Sequence, residues 1–264
     1  MFRRLRERGE GAFGAFLMLG DPDLERSAKL LDALIDGGAD MIEVGIPFSD
    51  PVADGPVIQE AAVRALQGGT RVDDCFQLLR DFRSRHADVP VGILTYANLL
   101  TARGRQKFCA DVAEAGVDSI LVADVPSIEA EPFAESARKA GLDLIMIAAP
   151  NTPGQTLTKI ARLCSGYTYC VARAGVTGVR ADLALEHDTL LSQLKALNAP
   201  PPVLGFGIST PNQVRQALAS GAAGVISGSA IVKLANEKGA DAVRAFVAEM
   251  KAATIRREPV RASA

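Results

Sequence analysis

The chain has 264 residues, 48% of them hydrophobic, and its 29 basic side chains nearly balance its 31 acidic ones. This length can bury the core of one large α/β domain or of two small ones. The even charge does not indicate a polyanionic partner, and no apolar run approaches the roughly 18 residues of a membrane span. The basic N-terminal residues lack the apolar segment of a secretory signal, so we expect a cytoplasmic protein.

Cysteine and histidine usage limits the chemistry further. The four cysteines lie within periodic segments and show no CxxC spacing, which predicts buried free thiols at Cys75, Cys109, Cys164 and Cys170. The two histidines, His86 and His187, lie in separate polar contexts. A histidine-based metal site or a Ser-His-Asp triad therefore has little support.

A short phrase of small residues followed by an apolar run occurs four times, starting at Gly37, Ala115, Ala140 and Ser220. Each copy follows a segment with helical periodicity. Glycine fits the left-handed position just past a helix, and an apolar run without alternation is typical of a parallel strand covered on both faces. The repeat therefore predicts successive helix–strand units.

The same reasoning, taken in chain order, predicts strands near 12–18, 41–46, 90–95, 117–122, 143–148, 167–171, 202–206 and 223–227. It predicts amphipathic helices near 24–37, 56–67, 101–115, 127–139, 153–163, 188–198, 210–219 and 239–253, an extra helix near 72–85 and a short one at 228–236. Eight strand–helix units without a linker indicate one domain over residues 1–264, a closed (β/α)8 TIM barrel with a disordered tail from about 255 to 264. A doubly wound open sheet is the alternative, but its Gly-rich fingerprint should follow the first strand, where the chain has Leu19-Gly-Asp-Pro22 instead.

The stretch that begins in the second predicted strand holds three acids within twelve residues, Glu43, Asp50 and Asp54. In such a barrel the active site lies at the C-terminal ends of the strands. Glu43 shares its alternation face with Met41 and Gly45, so its carboxyl should point into the barrel, where desolvation raises the pKa of a carboxyl. A salt-bridged core glutamate is the alternative, although no Lys or Arg lies on a neighbouring predicted strand.

Asp50 and Asp54 each have two possible roles. Asp50 precedes Pro51 and Asp54 precedes Gly55-Pro56, and both patterns are typical of helix N-caps. Two carboxylates in different surroundings, one on a strand and one on a loop, are also the usual groups for acid/base chemistry. Either aspartate could cap a helix, take part in the chemistry, or do both.

Two Gly-containing turns follow the last two predicted strands, within 204–209 and 226–231. Barrels commonly bind phosphate at this position with backbone N–H groups and the N-terminus of a short extra helix. Glycine is needed there because a Cβ would block the close approach of phosphate. Tight turns without a ligand are the alternative, but the pair of turns on adjacent strands favours a phosphate site.

The segment 173–187 is long for a connection between a barrel strand and its helix. Such loops are often lids that close over substrate, and a surface loop without a role is the alternative. Tyr167 and Tyr169 on the preceding strand share one face, so we expect one of them to point at the site. Other apolar residues near strand ends are core residues by default but could also wall a pocket: Phe16, Leu94, Leu121 and Ile147.

The positions of the lysines exclude one class of aldol chemistry. A Schiff-base aldolase needs a lysine on an inner strand position, and every lysine of this chain falls in a predicted helix or at its end. The clustered histidine or carboxylate ligands of a metal aldolase are also absent from the sequence. What remains is metal-free acid/base chemistry by carboxylates on a phosphorylated substrate.

Across essentially its whole length, the sequence resembles the alpha chain of tryptophan synthase. Seven ordered motifs carry the resemblance: Leu19-Gly-Asp-Pro22, Glu43-Val-Gly-Ile-Pro-Phe-Ser-Asp-Pro-Val-Ala-Asp-Gly-Pro56, Tyr96-Ala-Asn98, Val122-Ala-Asp-Val-Pro126, Gly175-Val-Thr-Gly178, Gly205-Phe-Gly-Ile-Ser209 and Ile226-Ser-Gly-Ser-Ala-Ile-Val232. The family implies retro-aldol cleavage of indole-3-glycerol phosphate to indole and glyceraldehyde 3-phosphate.

By motif position, the resemblance implies a role for each site residue. Glu43 would be the acid/base group on the glycerol hydroxyl and on indole C3, Asp54 would hold the indole N–H, and Tyr169 would support Glu43. The phosphate would lie on Gly178, Gly207, Gly228 and Ser229. The indole pocket would be formed by Phe16, Ile58, Leu94, Leu121, Ile147 and Phe206.

The resemblance also implies a partner, a pyridoxal-phosphate-dependent beta chain that receives indole in an alpha2-beta2 heterotetramer. This chain itself would need neither cofactor nor metal. Residues assigned to lid closure and the partner interface are Pro47, Asp50, Asn98, Arg173 and Thr177. Met18, Ala172 and the lid tail over 179–187 depart from common forms of the family, which bears on lid closure rather than on the reaction.

Two other functions are compatible with parts of the pattern. A phosphosugar isomerase or an indole-glycerol-phosphate-forming barrel would share the phosphate loops, but it should carry a catalytic lysine or cysteine on an early strand. A subunit retained mainly to activate a partner enzyme would keep that effect after loss of its carboxylates.

Overall fold

The computed structural model describes residues 1–171, 183–205 and 207–255, with side chains in these ranges except at 183–186. Eight parallel strands pair in sequence order, and β8 returns to pair with β1, which closes the barrel. The strands are β1 (Ala12–Met18), β2 (Met41–Gly45), β3 (Val91–Thr95), β4 (Ser119–Val122), β5 (Asp143–Ala148), β6 (Thr168–Val171), β7 (Pro202–Gly205) and β8 (Gly224–Ser227). The predicted (β/α)8 TIM barrel is confirmed.

Helices surround the strands. They are α1 (Phe2–Glu7), α2 (Leu24–Asp36), α3 (Pro56–Gln67), α4 (Val72–Arg85), α5 (Ala97–Arg103), α6 (Arg105–Glu114), α7 (Glu131–Lys139), α8 (Gly154–Leu163), α9 (Leu183–Ala196), α10 (Pro211–Ala219), α11 (Ser229–Lys238) and α12 (Ala240–Ala252), with a 3-10 turn at Ser127–Glu129. Within the described ranges, none of these helices is long and apolar enough to cross a membrane. The four cysteines are buried free thiols, as the sequence predicts.

The structure differs from the sequence prediction at a few elements. The single helix predicted over 101–115 is two helices, α5 and α6, because Gly104 between them has a left-handed φ of +85°. The helix α1 is not predicted from the sequence, and α9 begins five residues before its predicted start at 188. Ile255 pairs with Glu10 in an isolated antiparallel bridge, while the rest of the predicted tail lies outside the described residues.

Two apolar cores lie on opposite faces of the strands. On β2, Ile42 and Val44 face the helices, whereas Met41 belongs to a second cluster inside the barrel. That inner cluster includes Tyr167 and Tyr169, and the ring of Phe2 closes its N-terminal end at 6.4 Å from the Tyr167 ring. Each large apolar side chain buried in this way contributes about 1.5–3 kcal/mol to folding. This packing fills the interior of the barrel beneath the candidate site.

Candidate active site

The carboxyl of Glu43 lies inside the barrel. In the strand register, its neighbours are Phe16 on β1 and Gly92 on β3, and its side chain is 2% exposed. The hydroxyl of Tyr167 donates a hydrogen bond to Oε1 of Glu43 at 3.0 Å. No cation partner of Glu43 is found among the ion pairs of the described residues, so the alternative of a salt-bridged core glutamate is not supported.

The surroundings of Glu43 keep a proton on it at higher pH than usual. Burial away from water raises its pKa from 4.5 to about 7, the hydrogen bond from Tyr167 opposes that rise, and the negative charge of Asp54 adds to it. A group with this pKa is present in both protonated and ionised forms near neutral pH. It can therefore give and take a proton without a large energetic cost.

Asp54 approaches the same space from the loop between β2 and α3. It is half-buried, and burial raises the pKa of its carboxyl while a hydrogen bond with the side chain of Tyr96 lowers it. The Gln59 side chain donates to the backbone oxygen of Asp54 at 2.7 Å, which holds the loop against the first turn of α3. The effect of its charge on Glu43 indicates that the two carboxyls lie within electrostatic reach of each other.

Neither aspartate caps a helix in the way the sequence suggests. The N-cap residue of α3 is Gly55, not Asp54, and the residues after Asp50 form a turn instead of a helix. The carboxyl of Asp50 is exposed and accepts a hydrogen bond from the Ser49 hydroxyl. The capping hypothesis is therefore wrong for both residues, because proline at position 51 is followed by the turn and the helix begins only at Pro56.

An apolar wall lies beside the two carboxyls. Ile58 from the first turn of α3 joins the inner cluster together with strand residues that were predicted as pocket walls: Phe16, Leu94, Leu121 and Ile147. Leu94 and Ile147 are only half-buried, so they border the open end of the barrel. An apolar ring could pack against this wall, since the surface it offers is made of aliphatic and aromatic side chains.

The two Gly-containing turns after β7 and β8 are joined to each other. The buried hydroxyl of Ser227 donates to the backbone oxygen of Ile208 at 2.6 Å. Gly207 has a left-handed φ of +79°, which a residue with a side chain adopts only with strain. The pair of turns is therefore held as one unit at the C-terminal face.

Helix α11 begins at this unit. Its N-cap residue is Gly228 and its first residue is Ser229, so the free N–H groups of its first turn are not covered by a cap side chain. A Cβ added at Gly228 would lie 3.6 Å from Cβ of Phe16. The helix N-terminus, where the helix dipole favours anions, thus adjoins the apolar wall.

Several other predicted site residues can be placed. Pro47 is buried, Asp50 is exposed on the loop after β2, and Asn98 is exposed in the first turn of α5. Gly178, Phe206, Arg173 and Thr177 lie outside the described residues, so the predictions for them stay predictions.

Tyr167 and Tyr96 lie beside the two carboxyls. The sequence left open which of Tyr167 and Tyr169 points at the site, and the resemblance implies that Tyr169 supports Glu43, whereas the hydrogen bond described above comes from Tyr167. Tyr169 is buried in the same cluster, and its ring lies so close to Gly205 that a Cβ added there would collide with the tyrosine hydroxyl. The role of Tyr169 stays a prediction. Tyr96 belongs to a family motif but was not predicted to contact Asp54, since no sequence pattern relates the two.

Comparison with known proteins shows the family to which the chain belongs. The family model described as tryptophan synthase alpha chain matches residues 2–258. The chain is 49% identical over 259 residues to the tryptophan synthase alpha chain of Shewanella amazonensis, and the matched region covers 96% of this chain and 97% of that one. It is 50% identical over 260 residues to the corresponding chain of Escherichia coli, with 96% and 97% covered.

A solved structure gives the same result. A chain in the tryptophan synthase a2b2 complex of Pyrococcus furiosus superposes with a TM-score of 0.83 at 38% identity, covering 92% of this chain and 98% of that one. The likeness therefore extends over nearly the whole chain. The chain belongs to the tryptophan synthase alpha chain family.

Proposed function

We propose that the chain cleaves indole-3-glycerol phosphate into indole and glyceraldehyde 3-phosphate by carboxylate acid/base catalysis. The single observation that carries this proposal is Glu43, a buried carboxyl with a pKa of about 7 beside an apolar wall. The chain belongs to the alpha chain family, and this supports the choice of substrate.

Glu43 acts first as the acid. Its protonated carboxyl transfers a proton to C3 of the indole ring, and the ring becomes a positively charged electron sink. The resulting carboxylate then takes the proton of the glycerol hydroxyl next to C3. As that proton leaves, the carbonyl of glyceraldehyde 3-phosphate forms, the bond to C3 breaks, and its electron pair neutralises the ring. The proton taken from the hydroxyl restores the acid form of Glu43.

Asp54 stabilises the charged ring. Its carboxylate accepts a hydrogen bond from the indole N–H, and this bond becomes stronger as positive charge develops on the ring after protonation at C3. Because the protonated ring accepts the electrons of the breaking bond, the step needs neither a Schiff base nor a metal ion. The lysines support this view, since those on described side chains lie on the helices around the barrel.

The phosphate end of the substrate binds at the glycine turns. Gly207, Gly228 and Ser229 offer backbone N–H groups, and the N-terminus of α11 adds the favourable end of a helix dipole. Gly178 would complete the cradle and Phe206 the indole pocket, as the resemblance implies. A Cβ added at Gly228 would meet Phe16 of the apolar wall, and this closeness supports a substrate with a phosphate at one end and an indole at the other.

The partner is a beta chain in an a2b2 complex. The Pyrococcus furiosus protein is described as such a complex with mutual activation of its subunits. We extend this assembly to the present chain, with pyridoxal phosphate on the beta chain and none on this one. Pro47, Asp50, Asn98, Arg173 and Thr177 are assigned to loop closure and the interface with that chain. A cytoplasmic location stays a prediction.

The proposal is tested by measuring indole release from indole-3-glycerol phosphate with and without an added beta chain. Glu43→Gln and Asp54→Asn should each lower indole release by at least roughly 100-fold, the scale of a positioned acid/base group. Binding of glycerol 3-phosphate should persist in both variants, because the glycine turns are unchanged. Normal cleavage by both variants would overturn the mechanism. Unchanged activation of the beta chain by variants that cleave nothing would show a separate activating role.

A further inference from the structure

Tyr96 joins two neighbouring loops at the mouth of the barrel. It directly follows β3, it is the N-cap residue of α5, and it is 2% exposed. Its ring stacks on Phe48 in the loop after β2, with centroids 5.4 Å apart and an angle of 27° between the planes. The side chain thus leaves its own loop and packs against the loop that carries Asp54.

The hydroxyl of Tyr96 makes two contacts with that loop. It accepts a hydrogen bond from the backbone N–H of Ala53 at 3.3 Å, and it lies close enough to the carboxyl of Asp54 for hydrogen bonding between them to lower the pKa of that carboxyl. One phenol oxygen therefore contacts both the backbone and the side chain of consecutive residues. This arrangement restricts the rotation of the Asp54 side chain and the position of its backbone together.

The backbone at Tyr96 is in turn held from the next loop. The N-cap residue of α5 is Tyr96, whose phenol is not a capping group, and the helix start has no cap hydrogen bond from it. The Ala97 N–H donates instead to Oδ1 of Asp124, which follows β4, at 2.8 Å. Asp124 thus supplies an acceptor for the first N–H of α5 from the neighbouring loop.

We propose that Tyr96 is a positioning residue for Asp54, and that Asp124 holds Tyr96 in place by capping α5 from the neighbouring loop. The inference deepens the proposed function and rests on it, because Asp54 is the group assigned to the indole N–H. The bond has an electrostatic consequence as well. It lowers the pKa of the Asp54 carboxyl against the effect of burial, so it favours the ionised form that accepts from the indole.

The first test removes only the hydroxyl. Tyr96→Phe keeps the ring on Phe48, and we expect kcat for indole release to fall roughly 10- to 100-fold, the range of one hydrogen bond to a charged group. KM should change less than threefold, since the phosphate cradle is untouched. In an Asp54→Asn background, the same substitution should have less than a twofold effect, because the group it positions is already lost. An equal loss in both backgrounds would overturn the proposal.

A second test examines Asp124. Asp124→Ala removes the acceptor for the Ala97 N–H and should lower kcat severalfold, whereas Asp124→Asn keeps an oxygen at that position and should retain most of the activity. Equal activity of the two variants would contradict the role given to Asp124. Circular dichroism and glycerol 3-phosphate binding establish that each variant is folded.

A third measurement does not depend on catalysis. Carboxyl-carbon NMR titration of Asp54 should show a higher pKa in Tyr96→Phe than in the wild-type chain, because the carboxylate has lost a donor. An unchanged pKa would overturn the inference even if activity falls. A wild-type chain that releases no indole would refute the proposed function, and the titration would then still decide whether Tyr96 acts on Asp54.

Discussion

Replacing Glu43 by glutamine should stabilise the fold while it removes the proposed chemistry. In the folded chain, burial raises the pKa of Glu43 from 4.5 to about 7. Between these two pH values the folded chain still binds a proton that the unfolded chain has released, so the stability of the wild-type chain falls as the pH rises. Below pH 4.5 both states are protonated, and above pH 7 the loss is complete and constant.

The size of the effect follows from the shift. A rise of the pKa from 4.5 to about 7 corresponds to about 3 kcal/mol at 1.36 kcal/mol per unit. At pH 5 only about 1 kcal/mol of this penalty has developed, and at pH 8 it is present in full. Glutamine carries no charge at either pH, and its amide oxygen can still accept the hydrogen bond from Tyr167. The variant should therefore gain more stability at pH 8 than at pH 5.

Urea unfolding at pH 5 and pH 8 measures the difference. Glu43→Gln should exceed the wild-type free energy of unfolding by about 1 kcal/mol at the lower pH and by about 3 kcal/mol at the higher one. Glu129→Gln on the exposed 3-10 turn is the matched control, and we expect no such pH-dependent gain from it. A gain of equal size at both pH values, or a variant less stable than wild type at pH 8, would refute the reasoning.

Two further outcomes are expected. Tyr167→Phe removes the donor that favours the ionised form of Glu43, so the alkaline limb of the pH–rate profile for indole release, where the acid form of Glu43 is lost, should move to higher pH by about 1–2 units. An unmoved limb would mean that Glu43 does not set it. Ser227→Ala leaves the buried oxygen of Ile208 without its 2.6 Å donor, which should cost about 1–3 kcal/mol of stability and weaken inhibition by glycerol 3-phosphate severalfold. Unchanged inhibition would mean that the hydrogen bond between the two turns does not contribute to phosphate binding.

The fold could be predicted because its strands are short apolar segments that can be recognised locally in the sequence. Every strand of the barrel begins and ends within two residues of its predicted position, since an apolar run after a helix-ending glycine has few other structures to adopt. The break at Gly104 was missed because helical periodicity continues on both sides of it. Helix α1 was missed because it is short and buries Leu5 as its one fully covered residue.

The site could be predicted only in part, for a physical reason. Glu43 follows from alternation along one strand, which is a local property. Its partner Tyr167 is 124 positions away, and the Ala53 N–H and Tyr96 hydroxyl are 43 positions apart. Which side chains meet across the barrel depends on its closure and on the stagger of its strands, and no local pattern encodes these. Tyr167 and Tyr169 share one face, so the sequence could not decide which of them contacts Glu43.

The carboxyls of Glu43 and Asp54 are held in different ways, and they therefore differ in how easily they can move. Glu43 lies on β2, which pairs with β1 on one side and β3 on the other, and its partner Tyr167 directly precedes β6. The position of Glu43 therefore changes only if the barrel deforms. Asp54 is on a loop and is held by a tyrosine whose own backbone is fixed by the next loop. A partner that contacts the exposed residues of these loops can therefore move Asp54 without moving Glu43. In the proposed mechanism, we expect a beta chain to act on the stabilisation of the charged ring by Asp54, while the proposed proton transfer by Glu43 keeps its pH dependence.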